Sequence, residues 1–366
     1  MSGTVPMITP NSITGMSANE QRPVYFLHMN NSAQPTLTVK GEPRKDDGEI
    51  SIKWSSKLMK NVNDPQVNTK IMTPSEVTIF IAAARQYLTG DIKKLMALQK
   101  FLEAVQLNLT WVKMPYLAGL SDANFWREDS KGFLLNVPAM SADVKKVLLK
   151  YSQATVWTQL GKVIAVDLFN GNSDRFNSNG DWVNKGNVMF QDQIGGGIKV
   201  VGLDTFDPNS NSSNLTVMTA HSHAELDILK NAPAMQAFAQ KVIASVEREI
   251  CAGLRNSQQN YFYVRSNEQN IKIERDSEGF LSGYENDLVS GMMQGVNELK
   301  RYLQAKKQSY QQRNIAQPQL PGPPNFQAPQ PALRPGGPPN YPPPPPPAQQ
   351  KVIPQGILDR MTYLGW

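Results

Sequence analysis

The sequence predicts an α+β protein: a smaller β-rich N-terminal part, a mainly helical body, and a disordered proline-rich tail. Three observations lead there. Short β-prone runs separated by turn-formers occupy the start of the chain, apolar residues recur every three or four positions through much of its middle, and prolines crowd the C-terminus. A chain of 366 residues can hold one large or two modest domains with a real core. Apolar residues at 40% and charged residues at 19% are the proportions of a globular chain, not of a membrane-spanning one.

Residues 1–21 are rich in Ser, Thr and Asn and are expected to be disordered. Val24 to His28, Thr36 to Lys40 and Ile50 to Trp54 read as strands, set apart by Asn30-Asn31-Ser32 and Asp46-Asp47-Gly48. Thr73-Pro74-Ser75-Glu76 is a capping box with proline at the first helical position, so a helix should run from there to about Leu88. Thr89-Gly90-Asp91 breaks it. A second helix comes after the break, with Ile92, Leu95, Leu98, Leu102 and Val105 on one side. Leu107 to Met114 reads as a strand, and two helices are expected between Ser141 and Leu168.

Two short strands come next, Asn187 to Phe190 and Ile198 to Val201, joined through Gly195-Gly196-Gly197. Met235, Phe238, Val242, Val246, Ile250 and Leu254 mark one amphipathic helix, and Leu288, Met292, Val296, Leu299 and Leu303 another. From Gln317 the chain is Pro, Gly, Gln and Asn, which cannot bury enough apolar surface to fold. The last stretch, Val352 to Trp366, is apolar enough to dock. The expected divisions are therefore 1–21, 22–114, 115–315, 316–351 and 352–366.

The longest apolar runs, such as Val163 to Phe169, are far short of the ~20 residues that span a bilayer, so no transmembrane segment is expected. No signal peptide opens the sequence. The single cysteine, Cys251, excludes an intramolecular disulfide and any zinc site of several thiolates, which fits the cytoplasm. The net charge of +6 is modest. Its basic stretch between Lys40 and Lys70 lacks interleaved aromatics and reads as a solvated face, so no nucleic-acid partner is expected.

The stretch that could carry chemistry runs from Asp167 through Asp174 and Asn187 to Asp204. Phosphoryl transfer needs one carboxylate to orient and deprotonate the attacking hydroxyl, and oxygen ligands for the magnesium that bridges the phosphates. Asp174 falls in a loop after a predicted helix, Asn187 opens one strand and Asp204 comes just after the other. A hairpin would aim Asn187 and Asp204 at the same point. Each residue also has an ordinary use, since Asp174, Asn179 and Asp181 are loop-formers and Asp204 and Asp207 can cap turns.

Asn172-Ser173-Asp174-Arg175, then an Asn that enters a strand, resembles the catalytic loop of the atypical protein-kinase-like superfamily, with its HipA-like and phosphatidylinositol-kinase-like branches. The resemblance covers motif positions across about 22–210. It implies a two-lobed kinase-like fold, ATP and Mg²⁺ as cofactors, Asp174 as catalytic base, and Asn187 and Asp204 as metal ligands. The family's His after Asp-Arg is Phe176 here, and the glycine of Asp-Phe-Gly is missing from Asp204-Thr205-Phe206. Its usual spacing would select Asn179, whereas Asn187 alone runs directly into an apolar strand and is preferred.

The same resemblance calls for a strand lysine on the phosphates, held by a helix glutamate. Lys40 and Glu76 are the candidates, with Lys53 as the rival lysine. No GxGxxG precedes Lys40, and the loop His28 to Pro35 would have to offer backbone N–H groups instead. Trp111 to Leu117 resembles a hinge, placing Met114 against a nucleobase.

Other constellations are weaker. His221 and His223 would share one face of a strand but lack a third metal ligand, and Cys251 sits among helix-core residues. No GxSxG elbow supports a Ser/His/Asp triad. In the tail, Pro338-Pro339-Asn340-Tyr341 fits the PPxY pattern of WW-domain ligands, and Pro342 to Pro347 suits EVH1 or profilin-like grooves. The function expected is ATP-dependent phosphorylation of a protein substrate, with the tail recruiting a polyproline-binding partner. The polar start and proline tail resemble a bacterial effector that enters a host cell. The alternative is a pseudokinase or interaction scaffold whose tail is its function.

Overall fold

The computed structural model describes residues 5–18, 23–43, 48–63, 68–107, 109–123, 137–206, 213–256, 261–266, 269–274, 277–316 and 352–366. The chain is α+β. Its N-terminal part carries strands β1 (Ile13–Ala18), β2 (Val24–Met29), β3 (Leu37–Glu42), β4 (Lys70–Ile71) and β5 (Thr110–Pro115) in one antiparallel sheet of order β1-β2-β3-β5-β4. Alternation along these strands divides the sheet into two faces. Tyr25, Leu27, Leu37, Val39 and Trp111 turn to one side and pack on helices α2 (Pro74–Tyr87) and α3 (Ile92–Gln106). There Tyr25, Phe80, Phe101 and Trp111 form an aromatic cluster with neighbouring rings 5.1–6.1 Å apart, mostly edge to face, the arrangement their quadrupoles prefer. Val24, Phe26, Thr38, Lys40, Glu42, Val112 and Met114 turn to the other side, into a cleft.

Two expectations fail in this part. The opening residues do not all lie outside the fold. β1 pairs with β2, and Val5 and Ile8 are buried. Their apolar side chains, spaced among Ser and Thr, were hidden by the polar composition. Second, Ile50 to Trp54 is no strand but part of helix α1 (Gly48–Val62). Ile50, Ile52 and Trp54 alternate for three positions only, while the buried set Ser51, Trp54, Ser55, Leu58 and Val62 has helical spacing. Lys53 consequently lies on the exposed side of α1, 3.6 Å from Glu49.

The capping box forms as read, with Thr73 Oγ1 accepting from the Glu76 N–H and Glu76 accepting from the Thr73 N–H. Glu76 also accepts from the backbone N–H of Ile8 at 2.9 Å and pairs with the Lys113 ammonium. Lys113 alternates with Val112 and Met114 along β5, so this buried pair lies on the helix-covered side of the sheet.

The remainder is mainly helical around α5 (Ala154–Asn170), whose second half is buried throughout. It crosses α8 (Glu285–Ala316) at backbone contact. A Cβ on Gly161 would sit 2.2 Å from the Leu288 carbonyl oxygen, and one on Gly291 would sit 2.0 Å from that of Thr158. Helices α4 (Val137–Tyr151), α6 (Ala220–Leu229) and α7 (Ala232–Asn256) complete the packing. A three-stranded sheet of order β6-β7-β8 joins β6 (Leu120–Asp122), β7 (Met189–Asp192) and β8 (Ile198–Val201). β6 and the hairpin β9 (Tyr261–Ser266) with β10 (Gln269–Glu274) were not anticipated.

The C-terminal segment docks, as its apolar content indicated. Helix α9 (Gln355–Tyr363) buries Ile357 and Met361, and the Trp366 ring stacks on Phe169 at 5.5 Å. The buried Arg360 guanidinium donates to the carbonyls of Val217, Gly356 and Asn214. Segment 317–351, with Pro338 to Tyr341 and Pro342 to Pro347, lies outside the described residues. It therefore connects α8 to a docked helix and is an internal segment of the chain. Among the described residues no helix is long and apolar enough to cross a membrane.

Candidate active site

The cleft has a volume of about 480 Å³. Its roof is the inner face of β2, β3 and β5; its floor is the open end of the β7–β8 hairpin, from Gly186 to Met189 and from Gly202 to Phe206; α1 closes one side with Ile52, Ser55 and Ser56. Lys40, Met114, Asn187 and Asp204 all line it. The loop from Gly171 to Asn187 supplies the rest. Helix α5 ends at Gly171, whose left-handed φ of 71° turns the chain sharply, a conformation that favours glycine. Asp174 lies in the loop beyond it, and its carboxylate accepts from the Asn187 Nδ2. Asn184 Nδ2 makes a longer contact of 3.4 Å to Asp174 Oδ1. The Asn187 NH₂ is thereby committed, and its amide oxygen is the atom left to act as a metal ligand.

Arg175 holds the pieces together. It is 1% exposed. It pairs with the buried carboxylate of Asp167, donates from Nε to the Asn187 carbonyl at 2.6 Å, and donates from Nη2 to the Leu203 carbonyl. One guanidinium thus ties the end of α5 to both sides of the hairpin's open end, using the forked donors that lysine lacks. Asn172 adds a second brace, donating to Asp167 at 3.1 Å and to the Asp204 carbonyl at 3.0 Å. Asp204 needs that brace because its φ is +56°, uncommon for a residue with a side chain. Such conformations persist where surrounding contacts over-determine them, and they cluster at functional sites.

The Lys40 ammonium sits 2.5 Å from Asp204 and 2.8 Å from Glu42. Burial disfavours its charge, but the two carboxylates outweigh that and hold the ammonium above its ordinary range. Burial pushes Glu42 up to about 7, with Lys40 opposing the rise. Glu42 was missed in the sequence, although its position two residues beyond Lys40 on a strand put it on the same face.

Several sequence expectations need correction. Glu76 does not reach Lys40, because its partner Lys113 lies on the opposite face of the sheet. The loop after His28 does not offer its N–H groups to the cleft: Asn30 donates to the Ser12 carbonyl and Asn31 to Thr14 Oγ1, both toward β1. His221 and His223 lie on helix α6, not a strand, so two positions apart they point to different sides. His223 stacks on Tyr363 instead.

The long spacing from Asp174 to Asn187 has a physical basis. The intervening turn packs on α7. Phe176 stacks on Trp182 at 6.1 Å, the Trp182 backbone N–H donates to Ser245 Oγ, and Gly180 lies against Lys241. Asn179 is exposed in that turn, its N–H bonded to Asn177 Oδ1. Asn187 itself closes a short 3₁₀ turn just before β7 rather than opening the strand. Cys251 is buried within α7, where its thiol meets the Ser277 carbonyl at 3.3 Å.

Among the described residues no three His, Cys, Asp or Glu side chains form a preformed metal cage. Asn187 and Asp204 give two oxygen-bearing side chains on one cleft wall. That fits magnesium, which takes one or two protein carboxylates and fills its remaining positions with phosphate and water. Comparisons of the chain with protein-family models, with curated proteins and with solved structures give no match.

Proposed function

We propose that the chain is an ATP-dependent phosphotransferase with a two-lobed, kinase-like architecture, acting on a protein hydroxyl. The observation that carries this reading is the convergence of Lys40, Asn187 and Asp204 on one cleft, with Asp174 hydrogen-bonded to Asn187 at its edge. ATP with Mg²⁺ would supply the phosphoryl group and neutralise its charge. Within that reading, Lys40 would hold the phosphates, Asn187 and Asp204 would hold the metal, and Asp174 would take the proton of the attacking hydroxyl. Met114, Tyr116 and Leu117 offer apolar and backbone contacts to the base. Catalysis here would be positioning and electrostatics.

Lys40→Met should lower ATP use by about a hundredfold, the scale of losing one charge aimed at the transferred group. Lys53→Met should leave it unchanged, because Lys53 is on the outer side of α1. Steady-state ATP turnover of the two variants checks this, and the reverse ranking would move the phosphate contact elsewhere.

The alternative, a pseudokinase or scaffold, is favoured by one feature. In the sequence the prolines lie between α8 and α9. Polyproline II binds with little ordering cost. A WW-type partner should be lost from pull-downs with Tyr341→Ala, while an EVH1 or profilin-like partner should need only Pro342 to Pro347. Retention of every partner with both changes would leave the prolines as a spacer. Action in the cytoplasm, and the effector reading, belong to the same proposal. The latter loses part of its support because residues 5–18 are folded.

A further inference from the structure

We infer that Glu42 is the positioning residue for Lys40, supplying from the lysine's own strand the carboxylate that Glu76 does not. The inference rests on the reading of Lys40 as the phosphate lysine. Thr38, Lys40 and Glu42 occupy alternate positions of β3 and share its cleft face. Glu42 is 7% exposed, too buried to hold a charge without a partner, and Lys40 at 2.8 Å is that partner.

No helix takes this role among the described residues. Helix α1, the next element after β3, turns Ile52, Ser55 and Ser56 to the cleft, none of them acidic. Its Glu49 pairs with Lys53 on the outside. Glu76 is committed to Lys113, Ile8 and Thr73 across the sheet. The second carboxylate on Lys40 is Asp204, which the proposed chemistry requires as a metal ligand. Asp204 cannot serve both a metal and Lys40 at full strength, so Glu42 is the partner that stays.

The consequence concerns regulation. A lysine held by a glutamate on a helix is aligned only when that helix is in place. Lys40 and Glu42 are two residues apart in one strand, so their pairing is fixed by strand geometry. A movement of α1 relative to the sheet leaves the pair intact, and the phosphate lysine stays aligned without an activating helix shift.

The test reads Lys40 directly. The full chain, without nucleotide, is treated with an amine-acylating reagent, and modified peptides are counted by mass spectrometry. Glu42→Gln should speed Lys40 modification about tenfold, the loss of one charge-assisted hydrogen bond, and leave Lys113 unchanged. Glu76→Gln should do the opposite. In turnover, Glu42→Gln should raise the KM for ATP more than it lowers kcat.

Unchanged Lys40 reactivity in Glu42→Gln overturns the positioning role. Raised Lys40 reactivity together with no binding of Mg·ATP by the wild-type chain upholds the role and overturns the nucleotide reading instead. Should Glu42→Gln not fold, carbodiimide treatment of the wild-type chain decides. An amide between Lys40 and Glu42, seen as loss of one water from the peptide containing both, is expected. An amide only between Lys40 and Asp204 overturns the inference.

Discussion

Replacing Asp204 by asparagine is expected to lower phosphoryl transfer from ATP by about a thousandfold, the upper range for removing one preorganised group aimed at developing charge. Asparagine is the informative substitution. It keeps the shape of the side chain and tolerates the left-handed backbone of position 204 better than alanine, which would add conformational strain to the loss of charge. The carboxylate is partly exposed, with a side-chain accessibility of 21%, so its removal should cost little stability. The melting temperature should stay within about 4 °C of wild type. Unchanged turnover in Asp204→Asn would remove the metal from this position. Lost turnover accompanied by a large fall in melting temperature would mean the residue is structural.

The second large effect is on stability and lies far from the chemistry. Glu76→Gln should cost about 3 kcal/mol at neutral pH, because it leaves the Lys113 ammonium buried without its counter-charge. The pH dependence identifies the cause. Burial alone would raise the Glu76 carboxyl, but the Lys113 ammonium and the N–H groups of Ile8 and Thr73 outweigh it and hold the group below its ordinary value of 4.5. A carboxyl lowered on folding stabilises the native state above its unfolded pKa, and that contribution is lost as pH falls through the lower, native value. Glutamine does not titrate. The stability gap between wild type and Glu76→Gln should therefore be full at pH 7 and shrink steadily below about pH 4.5. Urea unfolding across that range measures it, and a gap independent of pH would mean that packing, not charge, is lost.

Local signals were legible wherever side-chain chemistry acts over a few residues. The Thr73 to Glu76 capping box, the break at Gly90, the hairpin after Asn187 and the apolar stripes of α7 and α8 arise from capping, backbone freedom and helical period. The site was partly legible for the same reason. Asp174, Asn187 and Asp204 lie at the ends of elements whose order could be read.

The face of a sheet that a residue occupies could not be read without the register of β5. Glu76 looked like the partner of Lys40 because the order of strand and helix along the chain suited the pairing. Only the alternation of Val112, Lys113 and Met114 sends Glu76 to the other side. The Ile50 to Trp54 segment shows the opposite difficulty: three alternating positions mimic a strand inside a longer helical pattern. β1 was masked by composition, since its pairing with β2 supplies the stability that its own residues do not advertise. Arg175 escaped notice as a brace because its three partners, Asp167, Asn187 and Leu203, come from three separate segments.

The central claim is that this cleft transfers the terminal phosphate of ATP. The most direct measurement incubates the full chain with Mg²⁺ and ATP labelled at either the γ or the α phosphate, with a cell lysate as the source of acceptor proteins. Protein should acquire label from γ-labelled ATP only, and Asp174→Asn and Asp204→Asn should abolish the transfer. Label entering from α-labelled ATP, or no transfer by a folded wild-type chain, would contradict the account.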